Sequence, residues 1–223
     1  ITANDYTIKA SDVTGTNAEI LTNSGAIAYK LTDHTVDGTV SVTNNGGYSA
    51  TVGTYTVTLE ATSDSAATGT ITVTVIPDTV IGTGTTHYLT ANNYIIKASE
   101  VTGTDVEILT ESGATALKLS DHTVDGAVNV VNNGGYTNVV GIYTVTLEAV
   151  NDTTSTGTIT ITVVPDNTIG IGNTHYLTAN NYIIKESDVT GTNAEIITNA
   201  AATVYKLSEQ TVNGYATVTN NGG

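Results

Sequence analysis

Residues 53–75 read GTYTVTLEATSDSAATGTITVTV, and their rhythm decides the fold. Thr54, Thr56 and Thr58 alternate with Tyr55, Val57 and Leu59. After a polar break, Thr70, Thr72 and Thr74 alternate with Ile71, Val73 and Val75. Such alternation places one set of residues on each face of a β-strand. Tyr55, Val57, Leu59 and Ala61 are expected to face a core, and Thr54, Thr56, Thr58 and Glu60 to face water. Thr suits the outer face because its branched side chain packs on a pleated surface while its hydroxyl stays hydrated. The break SDSAATG, residues 63–69, reads as a hairpin loop.

Shorter strands extend the pattern outward. Tyr6 and Ile8 mark one near residues 3–10; Ile27, Tyr29 and Leu31 mark another; Val40 and Val42 mark a third, ended by Asn44, Asn45, Gly46 and Gly47. Turn residues separate them. Between residues 16 and 25 the rhythm changes. Thr16-x-x-Glu19 is a capping-box spacing, followed by Ile20-Leu21 and closed by Gly25, which predicts a short helix or helical turn. Pro77 and Asp78 end the last strand, since proline cannot donate to a ladder.

The whole pattern repeats. ITANDYTIKASDVTGTNAEI at residue 1 returns as LTANNYIIKASEVTGTDVEI at 89 and as LTANNYIIKESDVTGTNAEI at 177, a period of 88 residues. Solenoid repeats run about 20–50 residues and cannot bury a core alone, whereas a unit of this length can fold by itself. The expected organisation is a first domain at 1–78, a linker at 79–88, and a second domain at 89–166. A second linker at 167–176 then leads to an incomplete third copy at 177–223 that lacks the final hairpin. Without an initiator Met, the chain reads as a mature fragment or a piece of a longer protein. The open third copy is then continued by further chain, left by proteolysis, or completed by strands of another chain in a head-to-tail fibre.

Six lysines face 21 acidic residues, for a net charge of −15. That balance disfavours nucleic acid and anionic lipid, and makes Ca²⁺ the cofactor the charge would admit. No hydrophobic run is long enough to span a bilayer. The absence of Cys excludes a disulfide framework and thiolate metal sites. With no Phe or Trp, the core must be aliphatic apart from Tyr.

The GTYTVTLEATSD…TGTITVTVIPD signature resembles the final hairpin of bacterial immunoglobulin-like repeats. LTANNYIIKASEV followed by EILTESGA resembles such repeats in long surface proteins of Gram-positive bacteria. The resemblance covers the chain copy by copy. It implies an all-β fold of tandem immunoglobulin-like antiparallel β-sandwiches, each with a short helical turn. It also implies an extracellular, cell-surface or cell-wall location, and a stalk or fibre segment of an adhesin or biofilm protein. Related domains sometimes carry a Lys–Asn amide bond promoted by a buried acid. Lys9 or Lys30, Glu19 or Glu60, and Asn44 or Asn45 are the residue types at hand, but Lys30 and Glu60 fall on the outward phase.

The most metal-like motif is DHTVDG, with Asp33, His34 and Asp37 in copy one and Asp121, His122 and Asp125 in copy two. Two carboxylates on a loop are the donor type Ca²⁺ takes. Copy three reads Glu209, Gln210 and Asn213 instead, so the unit tolerates the loss, and a polar turn is the simpler reading. Asp78 and Asp166 at the domain junctions are the other weak Ca²⁺ candidates. His87 and His175, each in Thr-His-Tyr, are expected to pack between domains or stand exposed. No phosphate loop, nucleophile elbow or His-x-x-x-His pair is present, and no catalytic residue is assigned. If the repeats bind a glycan or protein directly, Tyr48, Tyr136 and Tyr215 are the candidate contacts.

Overall fold

A computed structural model describes residues 1–221. In the first copy the elements are β1 (Tyr6–Lys9), α1 (Asn17–Ser24), β2 (Val40–Asn44), β3 (Gly53–Ala61) and β4 (Asp64–Ile76). Next come β5 (Val80–Thr83), β6 (His87–Thr90), β7 (Tyr94–Lys97), α2 (Asp105–Ser112), β8 (Thr115–Lys118), β9 (Val128–Asn132), β10 (Gly141–Ala149) and β11 (Asp152–Val164). The last are β12 (Thr168–Ile171), β13 (His175–Thr178), α3 (Asn193–Asn199), β14 (Thr203–Lys206) and β15 (Thr211–Val212). The chain is mostly β, arranged in several sheets consistent with a sandwich. It divides into two compact units. One comprises Ile1–Ala91, Ala114–Val128 and Glu148–Gly157; the other comprises Asn92–Gly113, Asn129–Leu147 and the residues from Thr158 onward.

In the first unit, β3 and β4 form the hairpin that the alternation demands. Val57 faces Ile71 and Tyr55 faces Val73 on one side, while Thr56 faces Thr72 and Thr58 faces Thr70 on the other. Directly opposed β-branched residues of this kind are the unit of sheet stabilisation. Val57, Leu59, Ala61, Ile71, Val73 and Val75 are buried with Ile20, Ala28, Val40 and Tyr48. Each large aliphatic residue among them contributes about 1.5–3 kcal/mol by leaving water. The loop is shorter than expected: β4 starts at Asp64, and a register shift at Glu60/Ala61 absorbs the mismatch.

The sheet order is β1-β4-β3-β2. β1 runs parallel to β4, with Tyr6 opposite Val73 and Lys9 opposite Ile76. The wholly antiparallel arrangement expected from sequence is corrected here, and again where β7 runs parallel to β11. Alternation reports which face a strand buries and is silent on which neighbour it takes.

α1 starts at the Thr16 cap that the spacing predicts, but Glu19 reaches past the cap's own N–H to the two residues before it. Thr16 Oγ1 accepts from Glu19 N at 3.2 Å, while Glu19 Oε2 accepts from Thr14 N and Gly15 N, both at 3.0 Å. Gly25 closes the helix at φ 60°. α2 and α3 start in the same way from Thr104 and Thr192.

The segment 79–88, expected as a linker, is a hairpin. β5 and β6 pair antiparallel, and β6 pairs with β8, with Tyr88 opposite Leu117. Ile76, Val80 and Tyr88 are buried there, with Leu117 and Leu119 packed against them. The second expected linker, 167–176, likewise holds β12 and the start of β13 in a sheet of order β12-β13-β14-β15 in the second unit. Glycine explains why the hairpin escapes a period-2 reading. A Cβ on Gly82 would lie 1.9 Å from Thr156 O, so this strand can approach β11 only without a side chain at that position.

Candidate functional site

The densest polar cluster lies in the first unit, where the Gly84–Thr86 turn meets the start of β11. Asp152 Oδ2 accepts from Thr86 N at 2.6 Å, His87 N at 3.0 Å and Thr86 Oγ1 at 3.1 Å. Its Oδ1 accepts from Thr154 Oγ1 at 2.6 Å and Thr154 N at 3.2 Å. These bonds, led by the one from the Thr154 hydroxyl, hold the Asp152 carboxyl well below the usual carboxylate range. His87 is buried; its Nε2 lies 3.1 Å from Asp125 Oδ2 and its Nδ1 lies 2.8 Å from Thr86 Oγ1. Lys118 Nζ stands 3.7 Å from the same Asp125 oxygen. Asp125 is therefore a hairpin anchor, its carboxyl pulled below its ordinary value chiefly by the His87 bond.

A second contact explains the residue exchanged in the third copy. His34, His122 and Gln210 share one turn position with φ near 57°, 59° and 56°. The Tyr88 hydroxyl lies 3.1 Å from His122 Nδ1, and the Tyr176 hydroxyl donates to Gln210 Oε1 at 2.8 Å. Gln and His are interchangeable here because each can accept from a buried tyrosine. That is a structural role, and it accounts for the exchange of His for Gln at this position.

The remaining candidates do not converge. Asp33 and Asp121 each accept from the N–H and hydroxyl of the Thr two residues on, at 3.1 and 2.7 Å, which lowers both carboxyls. Among the described residues, the Asp37 carboxyl accepts no such bond. Asp78 and Asp166 accept from Ser11 N and Ser99 N at 2.9 and 2.8 Å and are lowered by those bonds. Among the described residues, no group of three or more His, Asp or Glu side chains is placed to hold a metal ion.

Tyr48 and Tyr136 are not exposed contacts: both are buried, because each packs edge-on against Tyr55 or Tyr143 at 5.7 and 5.6 Å. Burial pushes both hydroxyls up, and Tyr136 donates to Glu107 Oε1 at 2.9 Å. Tyr215 is 97% exposed. Of the residue types for an amide cross-link, Lys9, Glu19, Asn44 and Asn45 are engaged in other bonds. Lys9 Nζ donates to Val80 O at 3.1 Å, Glu19 serves its helix, and Asn44 and Asn45 accept from Gly46 N and Gly47 N.

Each unit also carries an open cleft built from matching positions. One, of about 550 Å³, is lined by Thr54, Thr72, Thr74, Thr86, Lys118 and Ser120. The other, of about 590 Å³, is lined by Ile142, Thr160, Thr162, Thr174, Lys206 and Ser208, 88 residues further along.

Sequence reading missed Asp152 and Thr86. The only available signal was the Thr-His-Tyr tripeptide, kept at 86–88 and 174–176 beside residues able to continue a strand.

No family model matches the chain, and no curated protein matches it. Among solved structures it is similar to the M60 catalytic domain with the CBM51-1 and CBM51-2 domains of Clostridium perfringens ZmpB. The identity is 12% and the TM-score 0.26, over 66% of this chain and 30% of that one. It is also similar to extracellular cadherin domains 1–4 of protocadherin gamma B7, at 14% identity and a TM-score of 0.24, over 95% of this chain and 58% of that one. The chain thus spans less than two thirds of either.

Asp152 gives a pH test. Its folded-state pKa lies below its unfolded value, so its stabilisation is present above the unfolded value and is lost as pH falls toward the folded one. The variant Asp152→Asn is expected to unfold at lower urea than the parent at pH 7. The gap should shrink between about pH 5 and about pH 2, as the parent carboxyl protonates. A gap of constant size across that range would remove the carboxylate from the account.

Proposed function

We propose that this protein is a non-catalytic stalk or fibre segment of a bacterial extracellular or cell-surface protein, of the adhesin or biofilm type. The observation that carries this reading is the order of the connections. Where linkers were expected, each connection is a hairpin in a sheet, β5–β6 beside β8 and β12–β13 beside β14. The first is also held from the preceding copy by the Lys9 bond to Val80 O. Repetition of such a copy would add length to a fibre. The Thr-rich strand faces stay hydrated and resist adhesion to one another.

The test is small-angle scattering on this chain and on one lengthened by a further 88-residue copy, with and without Ca²⁺. A stalk segment gains a fixed increment in maximum dimension per copy and shows no Ca²⁺ response. An unchanged maximum dimension would sink the reading.

A second reading, direct ligand binding by the repeats, is favoured by the paired Thr- and Lys-lined clefts, whose size lies in the range of small-ligand sites. Specific retention on a glycan array, lost in a Lys118→Ala, Lys206→Ala double variant, would replace the stalk with a binder.

A further inference from the structure

The first copy presents the same seat that β6 and β13 fill in the later copies, and there it stands open. Leu119 N donates to Thr86 O at 2.8 Å, and Leu207 N donates to Thr174 O at 2.8 Å. Leu31, at the matching position, is 91% exposed, and among the described residues its N–H has no partner. Tyr29 is likewise exposed, whereas Leu117 at its position pairs with Tyr88, and Tyr205 pairs with Tyr176.

The side chains around this edge match, group by group, those that hold Thr86–Tyr88 in the second copy. His34 holds the turn conformation of His122 and Gln210, which both meet a tyrosine hydroxyl, yet among the described residues its ring has no such partner. Asp37 occupies the position of Asp125, which meets a histidine Nε2. Asp64 occupies the position of Asp152; its Oδ1 accepts from Ala66 N at 3.0 Å, and its other oxygen is without the threonine and histidine donors that Asp152 collects. An open strand edge, an exposed leucine, an acceptor for a tyrosine and two carboxylates for a Thr-His pair form one acceptor surface.

We propose that this face of the first copy is a docking site for a β-hairpin with the chemistry of Val80–Tyr88, ending in Thr-Thr-His-Tyr. The occupant that fits is such a hairpin joined directly to residue 1, as β5–β6 is joined to the second copy. Thr2 and Ile27 exchange both backbone bonds, at 2.8 and 2.9 Å, which sets an antiparallel register. Thr90 and Thr115 pair in that register in the second copy, and Tyr88 then falls opposite Leu117. A tyrosine joined one residue ahead of Ile1 would therefore fall opposite Tyr29. A hairpin from a second molecule is disfavoured because β5–β6 and β12–β13 are already seated in their own sheets. The assignment stands whether the repeats serve as a stalk or bind a ligand.

The experiment compares amide hydrogen exchange in this chain with that in a chain carrying DTVIGTGTTHY, the sequence of residues 78–88, directly ahead of Ile1. Exchange at Tyr29 and Leu31 is expected to slow at least about tenfold in the extended chain, as for amides that enter a strand pair. A scrambled extension of the same composition should give no slowing, and His34→Ala in the extended chain should give back part of the gain. Equal exchange in the parent and extended chains, or equal slowing by the scrambled segment, would overturn the docking site. Full protection by the free peptide at about 0.1 mM, below the millimolar effective concentration that a direct join supplies, would overturn the covalent assignment.

Discussion

Replacing Gly82 with Ala lowers stability by about 1–3 kcal/mol, the range for an atom forced into a packed interior, while Gly170→Ala is near neutral. The two glycines are 88 residues apart and occupy the same place in the β5 and β12 strands. A Cβ on Gly82 would sit 1.9 Å from Thr156 O and 2.5 Å from its carbonyl carbon. Both atoms are backbone, so relief requires β5 to move away from β11 rather than a rotamer to turn. On the other side of the same contact, a Cβ on Gly157 would meet Ile81 O at 2.4 Å. A Cβ on Gly170 meets nothing within 4 Å. Urea unfolding of the two variants, with hydrogen exchange at Val80 and Ile81, checks this. Equal effects at the two sites would mean that intrinsic propensity, not close approach, decides the cost.

That contrast also shows what sequence could and could not reveal. β3 and β4 were readable because their burial alternates strictly, and a period of two carries its own assignment. The helices were readable because the capping box is a local bond pattern, from Thr16 to Glu19. The β5–β6 hairpin was not, because Gly82 and Gly84 replace the side chains that would have continued the rhythm, and their reason lies in β11. Asp152 closes a turn on its own Thr154, as Asp64 does on Ala66, but its second oxygen also reaches a turn 66 residues away. The local difference between SDSA and NDTT that bears on this is Thr154 in place of Ala66, whose hydroxyl meets both Asp152 and the Thr85 turn. Parallel pairing of β1 was hidden for the same kind of reason: face is written along a strand, and neighbour is not.

The acidic motifs misled in a consistent way. DHTVDG carries the donor types of a cation site, but its first Asp closes a turn on a threonine and its second, in copy two, grips His87. In a chain of charge −15, carboxylates are common, and here several of them serve as acceptors for backbone N–H groups that would otherwise go unpaired. Their pKa values fall because they are bonded, so acid is the condition that should loosen the hairpins first.

Tyr88→Ala should be among the most damaging single changes, at about 3–5 kcal/mol, the cost of truncating a buried aromatic residue. Tyr88 is fully buried, centres the cluster of Ile76, Val80, Leu117 and Leu119, and carries a hydroxyl 3.1 Å from His122 Nδ1. The packing and the hydrogen bond can be separated. Tyr88→Phe keeps the ring and is expected to cost about 0.5–1.5 kcal/mol, the net value of one bond. His122→Leu leaves the hydroxyl buried without an acceptor and should cost more, about 1–3 kcal/mol. His122→Gln should cost less than either, because Gln210 already performs the task for Tyr176 at 2.8 Å. The double variant Tyr88→Phe, His122→Leu should then recover part of the His122→Leu loss, since no orphaned hydroxyl remains. Urea unfolding of the five variants decides the matter. If His122→Gln matched His122→Leu, the turn position would be held by backbone geometry alone, and the exchange of His for Gln in the third copy would need another cause. If the predicted order holds, the tyrosine of each Thr-His-Tyr segment is what fixes a hairpin to its copy, and the repeat is cut by structure ahead of that tyrosine rather than after it.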